Sequence, residues 1–334
     1  MEKENIKLTS SEIGTLWGAY VDGTCIDTVN RYMVTIIENE KIKAIMEEAI
    51  QIFIKQKEQI VTFIENDGFP VPYGFSESDL VKGTPRLFSD IFCLHYLQIM
   101  TMHGLVGHNT ALSSSVRKDL RNFYDSCDND AKYLYQKIID LLLELGHFQR
   151  DPYFYPEENQ QYVSGKNFLD GFFSEKRPLA ATELISLSLN LKKSILAKSL
   201  SIGFSQVAQS TEIRKFLEKS GDNANKQIQS LSKILRDDNL PVPMSWESEI
   251  TTSKEATFTD KLMVFHMGFL YQTSQTFQGA GLATAMRTDL ALAYEKIILK
   301  NITITKDWFD LMVQNQWFEQ PPLAPNRKKL AQDK

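Results

Sequence analysis

The chain has little of what usually places a protein quickly. It holds 3 cysteines in 334 residues, Cys25, Cys93 and Cys127, an odd number and far apart. They form no CxxC pair and suggest no disulfide framework, so reduced, buried thiols are expected and a cytoplasmic location with them. Prolines number 11 and glycines 16, too few for a low-complexity or disordered chain. There is no basic surplus: 37 Lys and Arg stand against 42 Asp and Glu, a formal net charge of −5. That balance argues against nucleic acid as a partner, because phosphate neutralisation needs cations concentrated on one face. No apolar run approaches the roughly 18 residues of a membrane-spanning helix. The polar, charged stretch Met1 to Leu8 is unlike a secretory signal. Phosphate-binding loops, dinucleotide-binding glycine turns and nucleophile elbows are also missing, which removes the usual support for nucleotide-dependent and hydrolase chemistry.

What is present is a repeat. Pro70-Val71-Pro72 recurs as Pro241-Val242-Pro243, a shift of 171 residues. At that shift Leu8 and Glu12 meet Leu179 and Glu183, Ile42-Lys43 meets Ile213-Arg214, and Lys55-Gln56 meets Lys226-Gln227. Beyond the PVP turn the shift becomes 170, and Phe88, Asp90, Arg117, Asp119, Leu120, Tyr124, Phe148 and Pro152 meet Phe258, Asp260, Arg287, Asp289, Leu290, Tyr294, Phe318 and Pro322. One gap accounts for the change of register. Residues of like type at nearly constant spacing indicate an internal duplication.

Each repeat reads as four helices. Ile13, Leu16, Trp17, Tyr20 and Val21 keep the three-and-four rhythm of one buried helix face, as do the three runs that follow. Thr9-Ser10-Ser11-Glu12 opens the first helix with capping hydroxyls and an acid, and Gly68-Phe-Pro-Val-Pro72 closes the second. Helices of ~25 residues are about 38 Å long, so the expected architecture is all-α, two tandem ferritin-like four-helix bundles, each with a long crossover between its second and third helices. The expected division is 1–152 for the first bundle, 153–178 for a linker with a short helix, 179–322 for the second bundle and 323–334 for a flexible tail. In the linker, the aromatic piece Phe168 to Phe173 is expected to dock on a bundle.

The repeat, the two PVP turns, the paired F-[S/T]-D and R-x-D-L segments and the closing Trp317-Phe-Glu-Gln-Pro-Pro322 together resemble the bacterial domain-of-unknown-function family 3231. That resemblance spans nearly the whole chain and implies a duplicated ferritin-like fold, with no activity attached. The site must therefore be judged from the residues. Two-metal bundles of this kind need Glu-x-x-His pairs on facing helices, and only Glu144-Leu-Gly-His147 has that spacing. None of the five histidines, His95, His103, His108, His147 and His266, recurs between repeats. A metal centre is therefore not expected. Gln56 and Gln227 are expected to face the bundle interiors, two neutral amides where such bundles carry stronger donors, the polar layer left by an old metal centre. Asp90, Asp260, Arg117, Arg287, Asp119 and Asp289 are expected to cap helices and form local ion pairs.

Three functional readings follow. The leading one is a non-catalytic structural or interaction protein, serving stress or dormancy, with a protein partner or self-association and no cofactor. The second is an iron or manganese carboxylate protein with oxidase or peroxide chemistry, drawing on Glu12, Glu58, Glu183 or the histidines. The third is a bundle with a cavity for an apolar ligand, suggested by 20 Phe and 10 Met.

Overall fold

The computed structural model describes residues 6–163, 165–170 and 176–332. Eight long helices pair off across the duplication. In the first repeat they are α1 (Ser10–Ile36), α2 (Glu40–Asn66), α3 (Asp90–Ser114) and α4 (Lys118–Glu144). In the second they are α5 (Ala181–Val207), α6 (Thr211–Asp237), α7 (Asp260–Thr284) and α8 (Thr288–Gln314). Every bound of α1 and α2 recurs 171 residues later, and every bound of α3 and α4 recurs 170 later, so the single-residue difference lies in the crossover. The segment expected as a flexible tail carries a short exposed helix, α9 (Arg327–Gln332). No helix is long and apolar enough to cross a membrane among the described residues.

Local chemistry sets the helix ends. Thr9 and Glu12 form a reciprocal capping box at α1, and Asn39, Ser89, Ser210 and Thr259 each accept from first-turn amides of α2, α3, α6 and α7. After α2 the chain turns through Gly68 at φ 78, and after α6 through its counterpart Asn239 at φ 55. Both close a Schellman turn, Phe69 N to the Ile64 carbonyl and Leu240 N to the Leu235 carbonyl, so the left-handed position is kept by the two residue types that tolerate it best.

The repeats embrace about a pseudo-twofold axis. Antiparallel bridges join Leu80 to Phe258 and Ile250 to Phe88, pairs that the 170-residue shift exchanges. The 3₁₀ turn Glu77–Asp79 presents Asp79 to the Thr259 hydroxyl at 2.9 Å, and the equivalent turn Glu247–Glu249 presents Glu249 to the Ser89 hydroxyl at 2.5 Å. Each crossover thus fastens the cap of the other repeat's third helix. On the axis itself Tyr96 meets its own counterpart, His266, with hydroxyl and Nε2 2.7 Å apart. One hydrophobic core runs through both halves, with Phe88, Phe92, Phe204, Phe258 and Met263 fully buried in it. Two smaller clusters fill the outer ends of the repeats.

In the connector, the Phe168 ring centre lies 4.1 Å from the guanidinium of Arg177, itself a connector residue, and the Leu169 carbonyl reaches the second repeat, accepting from the Thr288 hydroxyl at 2.7 Å. Gly171, Phe172 and Phe173, the rest of the aromatic piece expected to dock, lie outside the described residues.

Candidate functional site

The paired acids and arginines sit at the ends of the bundles and do the same work twice. Glu12 reaches from α1 to accept the Val116 and Arg117 amides ahead of α4, both at 2.8 Å, while its other oxygen takes the Thr9 amide. Glu183 accepts the Met286 and Arg287 amides and is paired with Arg177 at 2.8 Å. Burial works against the charge of Glu12, but the Arg117 and Thr9 amides hold its carboxyl below the usual range. Arg117 binds Asp119 and Asp67; Arg287 binds Asp289 and Asp238. Asp67 and Asp238 escaped the sequence reading, although they match at the 171-residue shift like their neighbours.

At the opposite end, Asp90 accepts the Glu38 and Asn39 amides and pairs with Arg86, and Asp260 accepts the Gln209 and Ser210 amides. These aspartates do not cap their own helices. Ser89 and Thr259 already do so, and the carboxylates clamp the turns joining the first two helices of each repeat. Asp90 and Arg117 do not meet. The acids named for a metal reading are likewise committed: Glu12 and Glu183 to amides, while Glu58 is exposed on α2. Among the described residues no group of three or more His, Cys, Asp and Glu is placed to hold a metal ion.

The middles of the repeats have diverged. In the second, three amides from three helices close a ring. Gln227 (α6) donates to Asn301 at 2.8 Å, Asn301 (α8) to Gln278 at 2.9 Å, and Gln278 (α7) back to Gln227 at 3.2 Å. Asn223 adds a donor to Asn301 at 2.8 Å and Ser194 of α5 adds one to Gln227 at 3.2 Å. Every helix of the bundle contributes, and Asn301 is wholly buried. At the equivalent places the first repeat has Gln56, Ala131, His108, Ile52 and Gly23, from which no such ring can form. Gln56 is half-buried and donates to Asp130 of α4 at 3.2 Å.

Where the second repeat is filled, the first is hollow. A cavity of about 380 Å³ lies between α1, α2, α3 and α4, with Phe269 and Thr273 of α7 contributing to its wall. Its walls are mostly apolar, from Ile26, Phe53, Leu97, Met100, Phe123 and Leu134 among others. Glycines open it: Gly18, Gly104 and Gly107 line the space where the second repeat carries Leu189, Ser274 and Phe277, whereas Gly23, the counterpart of Ser194, is covered by the Phe53 ring. A Cβ built on Gly18 or Gly107 meets nothing within 4 Å. The α1 and α3 helices also approach each other less closely than α5 and α7.

A few polar groups face this space without partners. Among the described residues Asp22 has no hydrogen bond or ion pair, and burial pushes its carboxyl up to about 7. His103 is buried with neither ring nitrogen bonded, and burial, then Lys193, holds it well below the usual imidazole value. His95 lies elsewhere, stacked on Trp246 with ring centres 4.3 Å apart. It lines a second cavity of about 380 Å³ between the first repeat and the second crossover, which also holds His147, Lys192 and Glu249.

The counterpart of Asp22 is Lys193, whose amine is buried without a hydrogen-bond partner, 3.8 Å from the Phe277 ring centre. Burial holds its pKa well below the ordinary lysine value. The unfolded chain therefore binds a proton that the folded chain resists, and stability contributed by this site rises with pH up to about 10.5. Lys193→Met should raise the unfolding free energy by about 1–3 kcal/mol at neutral pH, with the gain shrinking towards pH ~10 as the unfolded-state lysine also loses its proton. Urea titrations at both pH values check this; a destabilised variant would mean that the amine has a partner after all.

A family model described as protein of unknown function (DUF3231) matches residues 1–159 and again 167–330. The chain belongs to this family. The two matches cover the two repeats, as expected for a duplicated DUF3231 unit. No curated protein matches the chain. A solved structure from Bacillus halodurans C-125, described provisionally as a spore coat protein, aligns at 15% identity and a TM-score of 0.41, covering 45% of this chain and 98% of its own.

Proposed function

We propose that this DUF3231 protein is a non-catalytic binding protein whose first repeat takes up a small, largely apolar molecule, while the second serves as a solid scaffold. The observation that carries this reading is the 380 Å³ cavity in one repeat at the place where its duplicate is closed by a ring of amides. Its volume and apolar lining suit a small-molecule site, with a few polar groups to orient the occupant. Side chains that would close the space stand at the matching positions of the second repeat, so its being open in only one of two copies favours a use for it.

Gly18→Leu combined with Gly107→Phe returns the second repeat's residues to the first and should close the cavity. Binding of 1-decanol by calorimetry should fall about tenfold or more, while Tm rises because two helical glycines are replaced and the void shrinks. Unchanged decanol affinity in a folded double variant would defeat the reading.

A further inference from the structure

Resting on that reading of the first repeat, we propose that its natural occupant ends in a protonated amine held by Asp22. The lining holds two carboxylates, Asp22 and Asp27, and no lysine or arginine. Asp27 already has Arg31, at 2.8 Å. Asp22, half-buried against the cavity, has no such partner among the described residues, so nothing within them offsets its charge. Its ionisation, displaced upward by burial alone, would be restored by a cation brought from outside the chain.

The walls fit the same head group. Phe53, Phe123, Tyr124 and Phe269 line the space, and ring faces attract an ammonium group in a dry setting. The two histidines that line it, His103 and His108, are both held below the usual imidazole value by burial, so they offer a cation no repulsion at neutral pH. A carboxylate ligand would find no lysine or arginine among the lining residues to receive it, and an alcohol would bring Asp22 no counter-charge. At roughly 30 Å³ for each solvent-sized group, the volume holds about a dozen non-hydrogen atoms, the size of an amine with a ten-carbon tail.

Calorimetry with the full chain, using decylammonium, 1-decanol and decanoate below their aggregation concentrations, separates the alternatives. Decylammonium should bind about tenfold or more tightly than decanol, and decanoate least well. Asp22→Asn should abolish that preference, bringing decylammonium down about tenfold towards decanol. Decanol or decanoate binding as well as the amine to the wild-type chain would overturn the amine assignment and leave the cavity reading intact, and this comparison does not require the variant to fold. An undiminished amine preference in folded Asp22→Asn would also overturn it. Absence of binding by all three would remove both the assignment and the reading beneath it.

Discussion

Arg287→Ala should lower the unfolding free energy by about 3–5 kcal/mol, and Arg117→Ala, the same change in the other repeat, by only about 1–2 kcal/mol. Both guanidiniums pair with equivalent aspartates, so the difference comes mainly from solvent. The Arg287 side chain is fully buried, and its partners Asp238 and Asp289 are 8% and 9% exposed. It also donates to the Arg177 carbonyl at 3.0 Å. Burial works against its charge, yet the bonds to Asp289 and Asp238 hold its pKa above the ordinary arginine value. Its removal leaves two carboxylates close together in a low-dielectric site, with Lys176, 3.1 Å from Asp289, as partial relief. Arg117 is 16% exposed and its partner Asp119 is 50% exposed, so water can take over much of what the arginine supplied. Guanidinium chloride titrations of both variants check the ranking. Equal losses would show that burial does not set the energy of this clamp.

Asn301→Ala should be comparably damaging, at about 3–4 kcal/mol. The change strands the Gln278 oxygen and the Asn223 and Gln227 amides together, and each buried polar group left unbonded costs about 1–3 kcal/mol, less whatever an entering water restores. Asn223→Ile, which installs the first repeat's residue at that position, should cost only about 1 kcal/mol, because Asn223 donates into the ring without being a link in it. Similar losses for the two variants would mean that the amides act as separate bonds and not as a closed unit.

The helices were legible because their signals are local. Capping hydroxyls, the three-and-four apolar rhythm and the PVP turns all lie within a few residues of what they specify, and the repeat doubled each signal. Asp90 and Asp260 were legible as acids at helix ends, but the amides they hold were not. Helix-cap logic looks along the chain, whereas these carboxylates reach across to a turn about 50 residues earlier. Glu12 and Glu183 were legible as caps of their own helices; that each also anchors the fourth helix depends on tertiary placement. Gln56 and Gln227 were found as mid-helix amides, but reading them as equivalents hid the difference between the repeats. That difference is carried by the residues that do not match: Ala131 against Asn301, Gly18 against Leu189 and Gly107 against Phe277. A search for what recurs passes over a void, because a void is specified by side chains that one copy has given up.

The exchanged bridges and the meeting of Tyr96 with His266 have a further meaning for how such a chain can diversify. The same surface serves both partners, the geometry of a two-subunit assembly whose halves have been joined end to end. Two separate identical subunits must change together, so any chamber gained by one is gained by the other, along with its burden on folding. Once tethered, the halves are free to specialise, and a solid half can lend rigidity to a neighbour that would be precarious by itself.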